Sequence, residues 1–289
     1  MRVTRYTDLA AFAARVNPYL FAHEAEHCLP IGILSTRLAG FQDDEPLYMG
    51  CVTEEDERIA LVAIQTPPHN IVLSLPADGS DATAAIQALV SDARDACGTL
   101  PGVHAPSGLA EAFASAWRAF TGNSYRANLR ERIYRLRQVQ WPRSTPGRLR
   151  HIEESDRGLL RIWLRDFMRE ALGQETPVEK MIDGRLRGKP SGMYLWEDGQ
   201  PVSIAGFGNP TPNGIRIGPV YTPPDLRGRG YASALVAQTS QRLLDEGRQF
   251  CFLFTDLANP ISNHIYRAIG YEPVSDVTEY LFQTATPTV

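Results

Sequence analysis

Between Gly214 and Tyr271 the chain reads as strand, glycine-rich turn, helix, strand and helix, an order that constrains what can be built around it. A β-rich run, Ile215-Arg-Ile-Gly-Pro-Val-Tyr-Thr222, leads through Pro224-Asp-Leu-Arg-Gly-Arg-Gly-Tyr-Ala to a segment with Ala232, Leu235, Val236, Thr239 and Leu243 on one helical stripe. The apolar run Phe250-Cys-Phe-Leu-Phe-Thr follows. Such a unit sets the turn where a strand's carboxyl end meets a helix amino terminus. The first amides of a helix have no internal partner and carry the positive end of its dipole, so a turn there can cradle a pyrophosphate. Gly228 and Gly230 let the backbone come close, Ala232 lets the helix pack tightly, and Arg227 and Arg229 add positive charge.

Beyond the second strand stands Asn259-Pro-Ile-Ser-Asn-His-Ile-Tyr266-Arg-Ala-Ile-Gly270-Tyr271. The pattern Arg227-x-x-Gly230-x-Ala232, followed by Asn259, Ser262, Tyr266 and Gly270-Tyr271, resembles the GNAT superfamily of N-acyltransferases. The close match covers 214–273 and a looser one 148–282. The resemblance implies acetyl-CoA as acyl donor. It implies that Val220, Tyr221 and Thr222 end a distorted strand that pairs with the pantetheine arm, with Pro219, Pro223 and Pro224 suiting a strand that stops pairing there. Arg227, Gly228, Arg229, Gly230, Tyr231, Ala232 and Ser233 would wrap the pyrophosphate, and Asn259 would hold the arm or shape its loop. Tyr266 would be the catalytic hydroxyl, donating to the departing thiolate.

The pattern around this unit occurs twice. A helix capped by Thr7 carries Leu9, Phe12, Ala13, Val16 and Leu20, and a second helical stretch, interrupted by Pro30, runs from Ala22 to Leu38. Three short strands are expected at Tyr48–Val52, Ile59–Gln65 and Asn70–Leu75, a helix over Asp81–Cys97, a strand at Val103–Ala105, a helix over Leu109–Phe120 and a strand at Arg130–Gln138. Trp141 to Gly147 reads as a linker, after which the same order begins again at Arg148. We therefore expect an α/β chain of the α+β kind with mixed sheet, built as two tandem GNAT-like acyltransferase domains over 1–140 and 148–289.

The first copy lacks the chemistry of the second. At the equivalent turn it has Leu75-Pro-Ala-Asp-Gly-Ser-Asp-Ala-Thr, where Asp78 and Asp81 would repel a pyrophosphate. The 1–140 domain is thus expected to be a degenerate scaffold, and 148–289 the one that binds acetyl-CoA.

A net charge of −4 and no basic run argue against nucleic acid as partner. No apolar run approaches the length of a membrane span, Cys28, Cys51, Cys97 and Cys251 are scattered, and Met1 to Asp8 show no signal-like region. These point to a cytoplasmic protein without membrane or metal; we expect a monomer or homodimer, and the resemblance implies a small-molecule or peptide amine as acceptor. Trp163, Phe167, Met168 and Met181, with Glu170 and Glu175, would suit a cationic acceptor. Asp256 and Glu279 are the candidate bases, each near a strand end that would flank the cleft.

Two other readings compete. A non-catalytic acyl-CoA sensor would need the same cradle and no acceptor. His23-Glu24-Ala-Glu-His27 fits His-Glu-x-x-His, the pattern of a zinc metallopeptidase. Pro30 would end that helix early, and Cys28 points away from the His27 face.

Overall fold

The computed structural model describes residues 1–40, 47–173, 177–188 and 190–283. The chain divides into two compact units. One holds residues 1–133, 256–258 and the end of the chain from 274; the other holds 134–255 and 259–273.

The first unit runs β1 (Arg2–Arg5), α1 (Leu9–Phe21), α2 (Cys28–Leu38), β2 (Tyr48–Thr53), β3 (Ile59–Gln65), β4 (Ile71–Leu73), α3 (Ala82–Cys97), β5 (Gly102–Pro106), α4 (Ser107–Thr121) and β6 (Ser124–Leu136). Its strands lie in the order β1-β2-β3-β4-β5. All are antiparallel neighbours except β4 and β5, which run parallel. The second unit repeats this with β7 (Arg148–His151), α5 (Arg157–Leu172), α6 (Glu179–Arg187), β8 (Gly192–Asp198), β9 (Gln200–Gly208), β10 (Gly214–Tyr221), α7 (Tyr231–Asp245), β11 (Phe250–Asp256) and α8 (Pro260–Ile269). Here β10 and β11 are the parallel pair.

The strands of each unit are covered on both faces. In the first unit α1 and α2 bury Phe12, Leu20 and Ile31 against Met49 and Ile64, while α3 and α4 bury Leu89, Phe113 and Trp117 against Leu61 and Ile71. In the second, α5 and α6 pack Leu160, Leu164 and Ile182 on Leu195 and Ile204, and α7 and α8 pack Leu235, Val236 and Ile269 on Ile215, Ile217, Cys251 and Leu253. These alternations along β9, β10 and β11 assign each side chain to a face.

The last strand, read from the sequence as the end of the second half, counts with the first unit. β12 (Glu272–Gln283) pairs antiparallel with β5, from Val277 opposite Pro106 to Leu281 opposite Gly102. Tyr280 enters the first unit's core, and the Phe282 ring stacks on Trp117 with centroids 5.5 Å apart. Conversely, Tyr134 and Leu136 at the end of β6 enter the second unit's core. Periodicity places a strand in sequence; it does not say which strands it lies beside.

Helix α1 is capped by Asp8, whose carboxylate accepts from Ala11 N at 2.8 Å, not by Thr7. The expected helix from Ala22 begins only at Cys28, so His23 to His27 lie in turns. Leu75 N donates to His27 Nε2 at 3.0 Å, which leaves the ring proton on Nδ1, 2.9 Å from Leu20 O. Both ring nitrogens are thus taken by backbone, and no three His, Cys, Asp or Glu among the described residues gather as a metal site. The His-Glu-x-x-His pattern here builds a buried tie between α1 and the loop after β4.

Burial holds the His27 pKa below its ordinary value. As pH falls the unfolded chain takes the proton first, near 6.5, so the stability due to this tie is whole above that pH and lost below it. Thermal melting between pH 7.5 and 5 should therefore show wild type losing its advantage over His27→Gln as pH falls. A constant gap would assign the tie no titration.

Candidate functional site

β10 and β11 are paired for only part of their length. Parallel registry runs from Gly214 opposite Phe250 to Arg216 opposite Phe252, although β10 continues to Tyr221 and β11 to Asp256. On its other edge β10 stays with β9, but the register shifts between Ile217 and Val220. Gly218, in that shift, has φ +141°, a conformation side-chain-bearing residues rarely adopt. The bulge turns β10 away from β11, and a slot opens whose β10 wall offers backbone groups without a strand partner. Val220, Tyr221 and Thr222 form the far end of this wall. Ser203 on β9 steadies it, donating to Tyr221 O at 3.0 Å with its hydroxyl 2.8 Å from Thr222 Oγ1.

Past the slot, Pro224–Leu226 make one 3-10 turn, and Gly228 (φ +77°) and Gly230 (φ +83°) bring the chain into α7. A Cβ on Gly230 would lie 2.8 Å from Thr145 Oγ1, so shape as well as dihedral angle asks for glycine. No side chain caps the start of α7. The equivalent helix of the first unit, α3, is capped by the carboxylate of Asp81, which accepts from Ala84 N at 3.0 Å. The two turns therefore differ in electrostatics as the sequences do: one helix end is already occupied by an anion, and the other presents bare amides.

The arginines of the turn are engaged. Arg227 donates through Nε to Thr222 O at 2.8 Å and pairs through Nη2 with Glu170 Oε2 at 2.6 Å, tying the turn to α5. Arg229 Nη2 reaches Asp225 O at 3.1 Å, and Tyr231 is anchored by its hydroxyl to Asp198 Oδ2 at 2.7 Å. Ala232 and Ser233 complete the first turn of α7.

Asn259 and Tyr266 lie on α8. The Asn259 side chain caps this helix, accepting from Ser262 N at 3.0 Å. Tyr266, 9% exposed, packs edge-on against Tyr271 with centroids 5.9 Å apart. It belongs to the same core cluster as Tyr231, and Val220 packs against that cluster. Burial pushes its phenol up to about 12, and no described residue hydrogen-bonds its hydroxyl.

Other expectations fare differently. Asp256 accepts from Ala258 N at 2.8 Å, and Glu279 accepts from Asn128 Nδ2 at 2.5 Å; both residues count with the first unit or its boundary segment, not with the slot's unit. Trp163 and Met168 are buried in the α5/α6 core, with Phe167 and Met181 packed on it, and do not form an open wall. Glu170 is occupied by Arg227 and by the Tyr221 hydroxyl at 3.3 Å, and Glu175 lies outside the described residues. A cavity of about 980 Å³, lined among others by Tyr6, Met49, Gln65, Cys97 and Phe282, lies in the first unit and includes none of the expected site residues. Sequence reading passed over Ser203, Asp198 and Arg185. The first two sit beside ordinary turns, and the third looks like any surface-helix arginine.

Residues 157–271 match the model of the acetyltransferase (GNAT) family. Similar solved structures include a GCN5-related N-acetyltransferase from Sphaerobacter thermophilus, at 15% identity and a TM-score of 0.63 over 96% of this chain and 95% of that one. Another, from Kribbella flavida, is 17% identical with a TM-score of 0.59, covering 90% and 97%. A tandem GNAT protein from the clavulanic acid biosynthesis pathway covers the whole of both chains at 12% identity and a TM-score of 0.59. No curated protein matches the chain. No helix among the described residues is long and apolar enough to cross a membrane. The slot, the bare amides of α7 and these likenesses agree: the chain has a tandem GNAT fold, and its 157–271 segment is a domain of the GNAT acetyltransferase family, whose acyl donor is acetyl-CoA.

Proposed function

We propose that the second unit acetylates the amino group of a small molecule or peptide by direct transfer from acetyl-CoA, with the first unit a degenerate copy. The observation that carries this reading is the slot between β10 and β11 leading to an uncapped helix start. The edge of β10 near Val220 to Thr222, which β11 does not pair, would take the pantetheine arm as an added strand. The amides from Gly228 to Ser233 would hold the pyrophosphate, while Arg227 and Arg229 shape the turn through the contacts they already make. In α3 the Asp81 carboxylate fills the corresponding place, which supports one cofactor per chain.

Bound acetyl-CoA supplies a thioester whose carbonyl the amine attacks: a C–N bond forms, the C–S bond breaks, and the amine's proton replaces the acyl group on sulfur. The protein's part is to place the reactants and to stabilise the charge that develops on the sulfur. Tyr266 fits that task as a hydrogen-bond donor, since with a pKa near 12 it stays protonated throughout the neutral range. Asn259 acts through the helix it caps, setting the position of Tyr266.

Tyr266→Phe keeps the ring packing and removes the donor. Turnover should fall about a hundredfold with the Kd for coenzyme A unchanged; unaltered turnover would take Tyr266 out of the chemistry. Gly230→Val imposes a strained φ and a contact with Thr145, and should weaken coenzyme A binding by at least about tenfold, roughly the worth of one or two charge-assisted hydrogen bonds. Wild-type affinity in a folded Gly230→Val protein would move the pyrophosphate elsewhere.

A further inference from the structure

Beyond the cofactor slot, the α5/α6 face of the second unit's sheet carries positive charge that no carboxylate among the described residues pairs. In β10, Ile215 and Ile217 belong to the α7/α8 core, so Arg216 between them points to the opposite face. Tyr134 and Leu136 of β6 belong to that same core, so Arg135 also points to the α5/α6 face. In the second unit β11 lies between these two strands, and its Phe254 ring has the Arg216 guanidinium over it at 4.7 Å.

A third arginine arrives from α6. Gly208 stands directly opposite Arg216 in the β9/β10 ladder, and its missing side chain leaves room for the Arg185 guanidinium, whose Nη1 lies 2.7 Å from where a Cβ would be. Directly opposed residues in an antiparallel pair project from the same face, so Arg185 and Arg216 are neighbours there. Arg185 is half-buried. It donates through Nη2 to Gly218 O at 3.0 Å and through Nη1 to Phe207 O.

None of the three arginines is paired with a carboxylate among the described residues, and the acids of α5 and α6 are committed to other partners, Asp183 to Arg157 and Glu179 to Arg161. The Nε of Arg135 is buried with no hydrogen-bond partner. Desolvation, followed by repulsion from Arg216, lowers the pKa of Arg185 to about 10, so it remains a cation at neutral pH. All three are half-buried, and like charges gathered there without a counter-ion are costly unless a ligand supplies the opposite sign.

The cofactor's pyrophosphate is not that ligand. Arg216 precedes the slot and stands six residues before Thr222, about 15 to 20 Å along an extended strand from the glycine turn. The Gly218 carbonyl held by Arg185 belongs instead to the bulge where the slot begins. An acceptor arriving over the α5/α6 face would meet the arginines beside that point.

We propose that Arg135, Arg185 and Arg216 seat an anionic group of the acceptor, so that the amine acetylated carries a carboxylate or a phosphate. This rests on the acetyl-transfer reading above, and it replaces the cationic acceptor expected from Glu170, whose charge is already paired. Arginine's planar fork matches both anions, so the chemistry is shared and the source is a matter for experiment.

The test is calorimetric titration of the coenzyme A-saturated protein with two matched pairs, 4-aminobutyrate against 4-aminobutyramide and phosphoethanolamine against ethanolamine. The acid of one pair should bind at least about tenfold tighter than its neutral partner, and the pair that shows this identifies the anion. Arg216→Gln and Arg135→Gln, two independent strand positions, should each remove the preference and leave coenzyme A affinity intact; Arg185 is left alone because it also holds the bulge. No preference in either pair, or a preference that survives in both variants, overturns the proposal. Thiol release from acetyl-CoA is read separately. A preference for the acid with no thiol release under any condition would uphold the anion seat and sink the transfer reading.

Discussion

The parting of β10 from β11 after Arg216 is the constraint on which the rest of the second unit depends. Two parallel strands at the centre of a sheet would ordinarily satisfy each other's backbone groups along their full length. Here a register shift at Gly218 ends that pairing while both strands continue, and the exposed wall becomes useful only because other elements hold it open. Ser203 fastens its far end from β9, Arg185 grips the bulge from α6, and Val220 packs into the core shared by Tyr231 and Tyr266. Helix α7 then begins with no side-chain cap at the end of the turn the slot leads to.

The two units are built alike. Both have the same order of strands and helices, a parallel pair in the same place and helices on both faces. They differ in what occupies one helix end. Asp81 satisfies an amide of α3 and places a negative charge where an anion would bind, whereas Gly230 leaves the amides of α7 free. Such a change barely alters stability, since a capped helix and a glycine-started helix differ by only a few tenths of a kcal/mol to about 1 kcal/mol. It decides the electrostatics of the site outright.

Much of this was legible in the sequence. The duplication, the order of elements and the glycine turn follow from periodicity and backbone chemistry, and Ile59–Gln65 falls on β3 residue for residue. What was not legible depends on tertiary partners. The place of β12 beside β5 is fixed by partners such as Trp117, over 150 residues away in sequence. Arg227 pairs with Glu170 through the fold and not through proximity in sequence, which ties the glycine turn to α5. His23 and His27 keep their helical spacing in the sequence while the backbone there forms turns, and the ring of His27 is used up by Leu20 and Leu75. The arginine cluster is visible only once alternate residues of separate strands are placed on a common face.

The central claim is that one of the two copies, and only one, holds the acyl donor. Calorimetric titration of the full chain with acetyl-CoA measures this directly. The account predicts a single site per chain, retained when Asp81 of the first unit is replaced by alanine. Two sites per chain in the wild-type protein, or no binding at all, would contradict it.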